Sequence, residues 1–174
     1  RGDLLALGLA RLQSFAPGLR RVGLSATVDD PDLVRRWMGG DIDLVQGAPG
    51  ARPHVEVLVS EGRVPWAGHT AEHAMAEIYE IIKANRVSLV FVNTRFQAEF
   101  AFQRLWELND DNLAIALHHG SLSAEQRRKV EAAMGRGEIR AVVCTSTLDM
   151  GIDWGDVDLV IQLAAPKGSS RMVQ

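Results

Sequence analysis

Apolar residues change their spacing along this chain, and the change divides it. Leu4, Leu5, Leu7, Leu9, Leu12 and Phe15 recur mostly at helical spacing. Residues 20–24 then read as a short strand that runs into Ser25, Ala26 and Thr27. Asp30 before Pro31 predicts a helix start, because aspartate caps and proline fits the first turn. That helix is expected to end near Met38, where Gly39 and Gly40 stop it. Residues 41–45 predict another short strand. Glycine and proline then crowd into residues 47–53, which read as a linker and a domain boundary.

Beyond the linker the pattern is regular. Strands are predicted at 55–59, 88–92, 114–117, 141–144 and 159–163. Helices are predicted at 71–84, 95–108 and 124–134, the first with Ala74, Ile78, Ile81 and Ile82 on one side. Strands alternating with helices of this length imply βαβ units, an α/β fold with a parallel sheet and flanking helices. Short all-apolar strands agree, since parallel sheets are covered on both faces.

Composition narrows the class. The 174 residues are 47% hydrophobic and 24% charged, as in an ordinary globular protein. No apolar run approaches the roughly 20 residues of a membrane helix, and RGDLLALGLARLQ does not read as a signal peptide. No membrane partner is expected. Cys144 is the only cysteine, which excludes an internal disulfide and a multi-thiolate zinc site. It fits a reducing, cytoplasmic setting. Net charge is -3, so any nucleic-acid contact must come from a local groove rather than from the total. Of the 19 basic residues only Lys83, Lys129 and Lys167 are lysine; arginine suits bidentate phosphate contact. The chain begins inside a helical pattern without methionine and stops without a closing element, so it reads as part of a larger protein.

In such sheets ligands bind beyond the carboxyl ends of the strands. There the sequence places Asn93, Thr94 and Arg95, then His118, His119, Gly120 and Ser121, then Thr145, Ser146 and Thr147. Thr94 with Gln97, and Ser123 with Gln126, each fit a capping box at a helix N-terminus that favours anions. Taken singly, these residues read as helix caps. As a row along one edge they match a nucleic-acid backbone better than one compact ligand. Adjacent His118 and His119 point to opposite faces of a strand, so no metal site is expected. Cys144 lies in an apolar strand and reads as a buried structural thiol. Trp106 reads as helix packing, and Trp66 as the tryptophan better placed to stack on a base. No G-x-x-x-x-G-K-[ST] loop is present, so this chain alone is not expected to hydrolyse ATP.

These residues together resemble a superfamily-two helicase. Residues 23–27 (GLSAT) look like the motif that closes the first RecA-like domain. Residues 89–95 look like a motif at the start of the second. His119, Gly120 and Ser121 look like the family's single-strand contact, and residues 145–153 like the motif that touches both strand and nucleotide. The strings VPWAGH, LVFVNTR, QAE, IALHHGSLSAEQRRKVEAAM and CTSTLDMGIDWGDVDLVIQ resemble Lhr-type DExH helicases, especially the bacterial ligase-associated DExH-box helicase. The similarity covers nearly the whole chain, with Met150 where leucine is expected.

The resemblance implies a RecA-like sheet of the P-loop NTPase fold. Residues 1–46 would be the C-terminal part of a first RecA-like domain, 47–53 the linker, and 54–174 most of the second. It implies a parent that is an ATP-dependent 3′-to-5′ DNA helicase in repair, using ATP and magnesium that this piece alone would not hold. Single-stranded or partly duplex DNA would be its partner, with repair proteins such as a ligase. Ser25 and Thr27 would couple hydrolysis to strand movement. Thr94, Arg95, His119, Gly120, Thr145 and Ser146 would hold strand phosphates, and Gly151 and Asp153 would face the nucleotide. The residues leave three rivals open: a binding module without motor activity, a small-molecule α/β enzyme using the same edge, and an RNA helicase.

Overall fold

The computed structural model describes residues 2–25, 28, 30–39, 42–47, 54–60, 62–64, 70–148, 157–163 and 165. By internal contacts the chain divides into two units, one up to Val55 and one from Glu56.

The first unit contains helices α1 (Gly2–Phe15) and α2 (Pro31–Met38), and neither buries a residue. Helix α2 follows its local chemistry. Asp30 Oδ1 accepts from the Leu33 amide at 2.9 Å, and Pro31 occupies the first turn. Gly39 closes it at φ 130°, a backbone region that disfavours side chains. Further ties come from arginines: Arg21 Nη1 donates to the Met38 carbonyl and Arg35 Nε to the Ile42 carbonyl, both at 2.9 Å.

The second unit is built on four parallel strands, β1 (Ser88–Phe91), β2 (Ile115–His118), β3 (Ala141–Cys144) and β4 (Leu159–Gln162). Their spatial order is β2-β3-β1-β4, so β3 lies between β1 and β2. Helix α3 (Met75–Ala84) precedes β1, α4 (Arg95–Glu107) connects β1 to β2, and α5 (Ala124–Gly135) connects β2 to β3. Strand side chains alternate between faces. Val90, Val143 and Ile115 pack with Ile78, Ile82, Ala98, Ala101 and Leu105 of α3 and α4. Leu89, Val142 and Cys144 pack on the other face with Met134, Ile139 and Leu148. Small Ala98 and Ala101 let α4 lie close to the sheet. Each fully buried aliphatic side chain, such as Ile82 or Leu105, contributes about 1.5–3 kcal/mol by leaving water. Cys144 is fully buried, as its apolar strand implies.

Helix and strand positions in this unit follow the periodicity to within a few residues, with the predicted 71–84 helix beginning as a short 3-10 turn, Glu72–Ala74. Three predicted strands are not formed. Residues 20–24, 42–45 and 55–59 carry no strand, and residue 41 lies outside the described residues. A strand needs a neighbouring ladder and a covered face, and β-branched composition supplies neither. Val22 is 82% and Leu24 95% exposed, and Val57 and Val59 also face solvent. Trp106 packs on α4, stacked on Phe102, and remains 59% exposed. Trp66 lies outside the described residues.

Candidate nucleic-acid interface

The sheet brings its strand ends to one level. Phe91 is in register with Cys144 and with Gln162, and Cys144 with His118. The ladder continues one residue further: the Val92 amide donates to the Cys144 carbonyl at 2.9 Å, and the Thr145 amide to the His118 carbonyl at 3.2 Å. The segments carrying Thr94 and Arg95, His119 and Gly120, and Thr145 and Ser146 therefore leave the sheet along one edge.

Two helices start at that edge with both halves of a capping box. Thr94 Oγ1 accepts from the Gln97 amide at 3.2 Å, while Gln97 Oε1 accepts from the Thr94 amide at 3.1 Å. Ser123 and Gln126 repeat the exchange at 3.2 and 3.1 Å. Each box satisfies only part of the four orphan amides of a helix start, and the end keeps its partial positive charge. Thr94, Arg95, Gly120 and Ser146 are exposed, and Thr145 is half-buried. Ser146 opens the 3-10 turn Ser146–Leu148.

Arg95 joins two of the strand ends. Its Nη1 lies 3.4 Å from Ser121 Oγ, linking the segments after β1 and β2 that flank β3. Its Nε lies 3.7 Å from Glu99 Oε1 one turn along α4. His119 is buried, and its Nδ1 accepts from the Ser121 amide at 3.2 Å. That bond leaves the proton of the neutral ring on Nε2, which points to Glu99 Oε1 at 3.5 Å. Burial pushes the His119 pKa down from its ordinary value; Arg95 and His118 add to this and the Glu99 carboxylate opposes it. The neutral ring thus shapes the turn that presents Gly120 and Ser121. His118 faces the opposite side of the sheet, with Nε2 3.1 Å from Glu131 Oε1 on α5.

Ser25 is described and exposed in the first unit. Thr27, Gly151 and Asp153 lie outside the described residues. Sequence reasoning passed over Glu99. Its pairing with Arg95 is legible as an i,i+4 spacing, but its approach to His119 depends on where β2 lies in the sheet. Among the described residues no three metal-ligating side chains gather, and no helix is long and apolar enough to cross a membrane. An open cavity of about 440 Å³ involves Arg86, Gly137 and Arg140, beside the amino ends of the strands. Arg86 there pairs with Asp158, and Arg140 donates to the Asn85 carbonyl.

Residues 72–174 match the helicase conserved C-terminal domain. The chain belongs to this helicase family. All of it aligns with the ATP-dependent helicase Lhr-Core protein 2 of Thermococcus barophilus at 34% identity, covering 21% of that protein. It aligns equally fully, at 34% identity, with the Lhr helicase/probable uracil glycosylase of Mycolicibacterium smegmatis, covering 14% of it. Among solved structures, it is similar to the Mycobacterium smegmatis helicase Lhr bound to ssDNA and AMP-PNP. That match has 37% identity and a TM-score of 0.72 over 92% of this chain and 22% of that one. The helicase MrfA bound to DNA and AMPPNP, at 22% identity and TM-score 0.68 over 95% of this chain and 25% of that one, shares the fold. The chain spans about a fifth or less of the curated relatives it matches. Its parallel sheet with flanking helices is that of RecA-like helicase domains.

Proposed function

We propose that this chain is the middle of an ATP-dependent DNA helicase that translocates 3′-to-5′ along single-stranded DNA and serves in repair. The second unit is most of its second RecA-like domain. The first unit is the end of the first domain, whose missing part would cover the apolar side chains of α1. The observation that carries the reading is the level edge of β1, β2 and β3. It offers Arg95, two capped helix starts and the Thr145–Ser146 segment together, on a chain 37% identical to a helicase captured with ssDNA.

Thr94, Arg95, His119, Gly120, Thr145 and Ser146 hold successive phosphates, His119 also shaping the turn that presents Gly120. Such contacts carry little base information, so binding is largely independent of sequence. ATP with magnesium supplies the energy for closing and reopening the two domains. By the family resemblance, Ser25 and Thr27 would couple that cycle to the strand, and Gly151 and Asp153 would serve the nucleotide. The enzyme is cytoplasmic, and repair proteins such as a ligase are its further partners.

Unwinding by the full-length protein tests this reading. Arg95→Ala combined with Thr145→Ala should weaken single-strand binding and slow unwinding. Unchanged affinity and unwinding would remove the phosphate assignment. Comparing ATPase stimulation by single-stranded DNA and by RNA separates a DNA helicase from an RNA helicase, the former requiring the larger response to DNA.

A further inference from the structure

Helix α4 begins in an unusual electrostatic way. Its first turn contains Arg95 and no acidic residue, although a helix start favours anions over cations. The charge of Arg95 is met instead by Glu99, one turn on, with Nε and Oε1 3.7 Å apart. Arginine before glutamate is the weaker order for an i,i+4 pair. The two side chains are 63% and 53% exposed, and the separation exceeds a hydrogen bond. The same carboxylate oxygen lies 3.5 Å from His119 Nε2, a buried donor with no hydrogen-bond partner. Two donors from different elements therefore converge on one anionic oxygen, and neither bonds it closely.

Glu99 is not needed to aim Arg95. The capping box fixes the start of α4, and Ser121 Oγ approaches the guanidinium at 3.4 Å. We infer that Glu99 is a built-in competitor, a carboxylate that occupies the place of a strand phosphate oxygen between Arg95 and His119 until the strand displaces it. This rests on the reading of Arg95 as a phosphate contact. A translocating enzyme must let go of each phosphate it grips, and a displaceable carboxylate beside the arginine favours release.

The experiment measures affinity of the full-length protein for a fluorescein-labelled oligo-dT across a salt series. Glu99→Gln should tighten binding by about two- to fivefold at low salt, the range expected for one exposed charge pair. The gain should fade as salt approaches roughly 0.5 M, because the effect is screened. Glu99→Asp, which keeps the charge, should stay near the original affinity. Adding Arg95→Ala to Glu99→Gln should abolish the gain. Unchanged or weaker binding by Glu99→Gln, or a gain that persists at high salt, would overturn the inference. If Arg95→Ala weakens binding while Glu99→Gln does not tighten it, the competitor role alone fails. If Arg95→Ala leaves affinity unchanged, the phosphate reading fails and the competitor role with it.

Discussion

The two units draw on the same kinds of apolar residue and reach opposite outcomes. Helix α1 carries Leu4, Leu5, Leu7, Leu12 and Phe15, all exposed. Helix α4 is no more leucine-rich, yet Ala98, Ala101 and Leu105 are fully or almost fully buried. No described residue before Ala74 is buried, whereas every residue of β3 is. The difference lies in partners. In the second unit the apolar faces of α3, α4, β1 and β3 meet a sheet or a helix supplied by the same unit. In the first, hydrogen bonds from arginines to carbonyls tie elements together without removing apolar area from water. Local chemistry can shape a helix, but only mutual burial gives it global stability.

Core truncation should split the units most widely. Leu105→Ala is expected to cost about 2–5 kcal/mol in urea unfolding of the chain, while Leu7→Ala, at a position 69% exposed, should stay within about 0.5 kcal/mol. Equal costs would break the comparison. Helix caps sharpen it at smaller scale. Thr94→Ala should lower global stability by about 1 kcal/mol. Asp30→Ala removes a similar bond, yet should reduce only the helicity of α2 by circular dichroism and leave the main transition in place. Acid should act on the second unit through His119. Its folded pKa lies below the ordinary 6.5, so the unfolded chain takes up the proton first. The stability from the neutral ring is complete above that value and is lost as pH falls below it. Unfolding midpoints at pH 7.5 and 5.5 should therefore differ less in His119→Gln than in the unaltered chain. The smallest effect is expected at Leu24→Ser, 95% exposed, with a change within about 0.5 kcal/mol.

Much of the second unit was legible because its signals are local. Ala141–Cys144 is uniformly apolar and forms β3 over those same residues, and the spacings Thr94/Gln97 and Ser123/Gln126 produce complete capping boxes. What escaped was whatever depends on a second segment. Residues 20–24 and 55–59 have strand composition but no ladder, because pairing belongs to two stretches of chain. The meeting of Glu99 with His119 required the strand order β2-β3-β1, which no spacing in the sequence reveals.

The claim that the strand-end edge grips a nucleic-acid backbone is tested most directly by salt dependence. Single-strand affinity of the full-length protein would be followed against salt, with and without Arg95→Ala and Thr145→Ala together. The altered protein should bind more weakly throughout, and its log–log slope should be shallower by about 0.7 for the lost arginine contact. Identical affinity and identical slope would contradict the account.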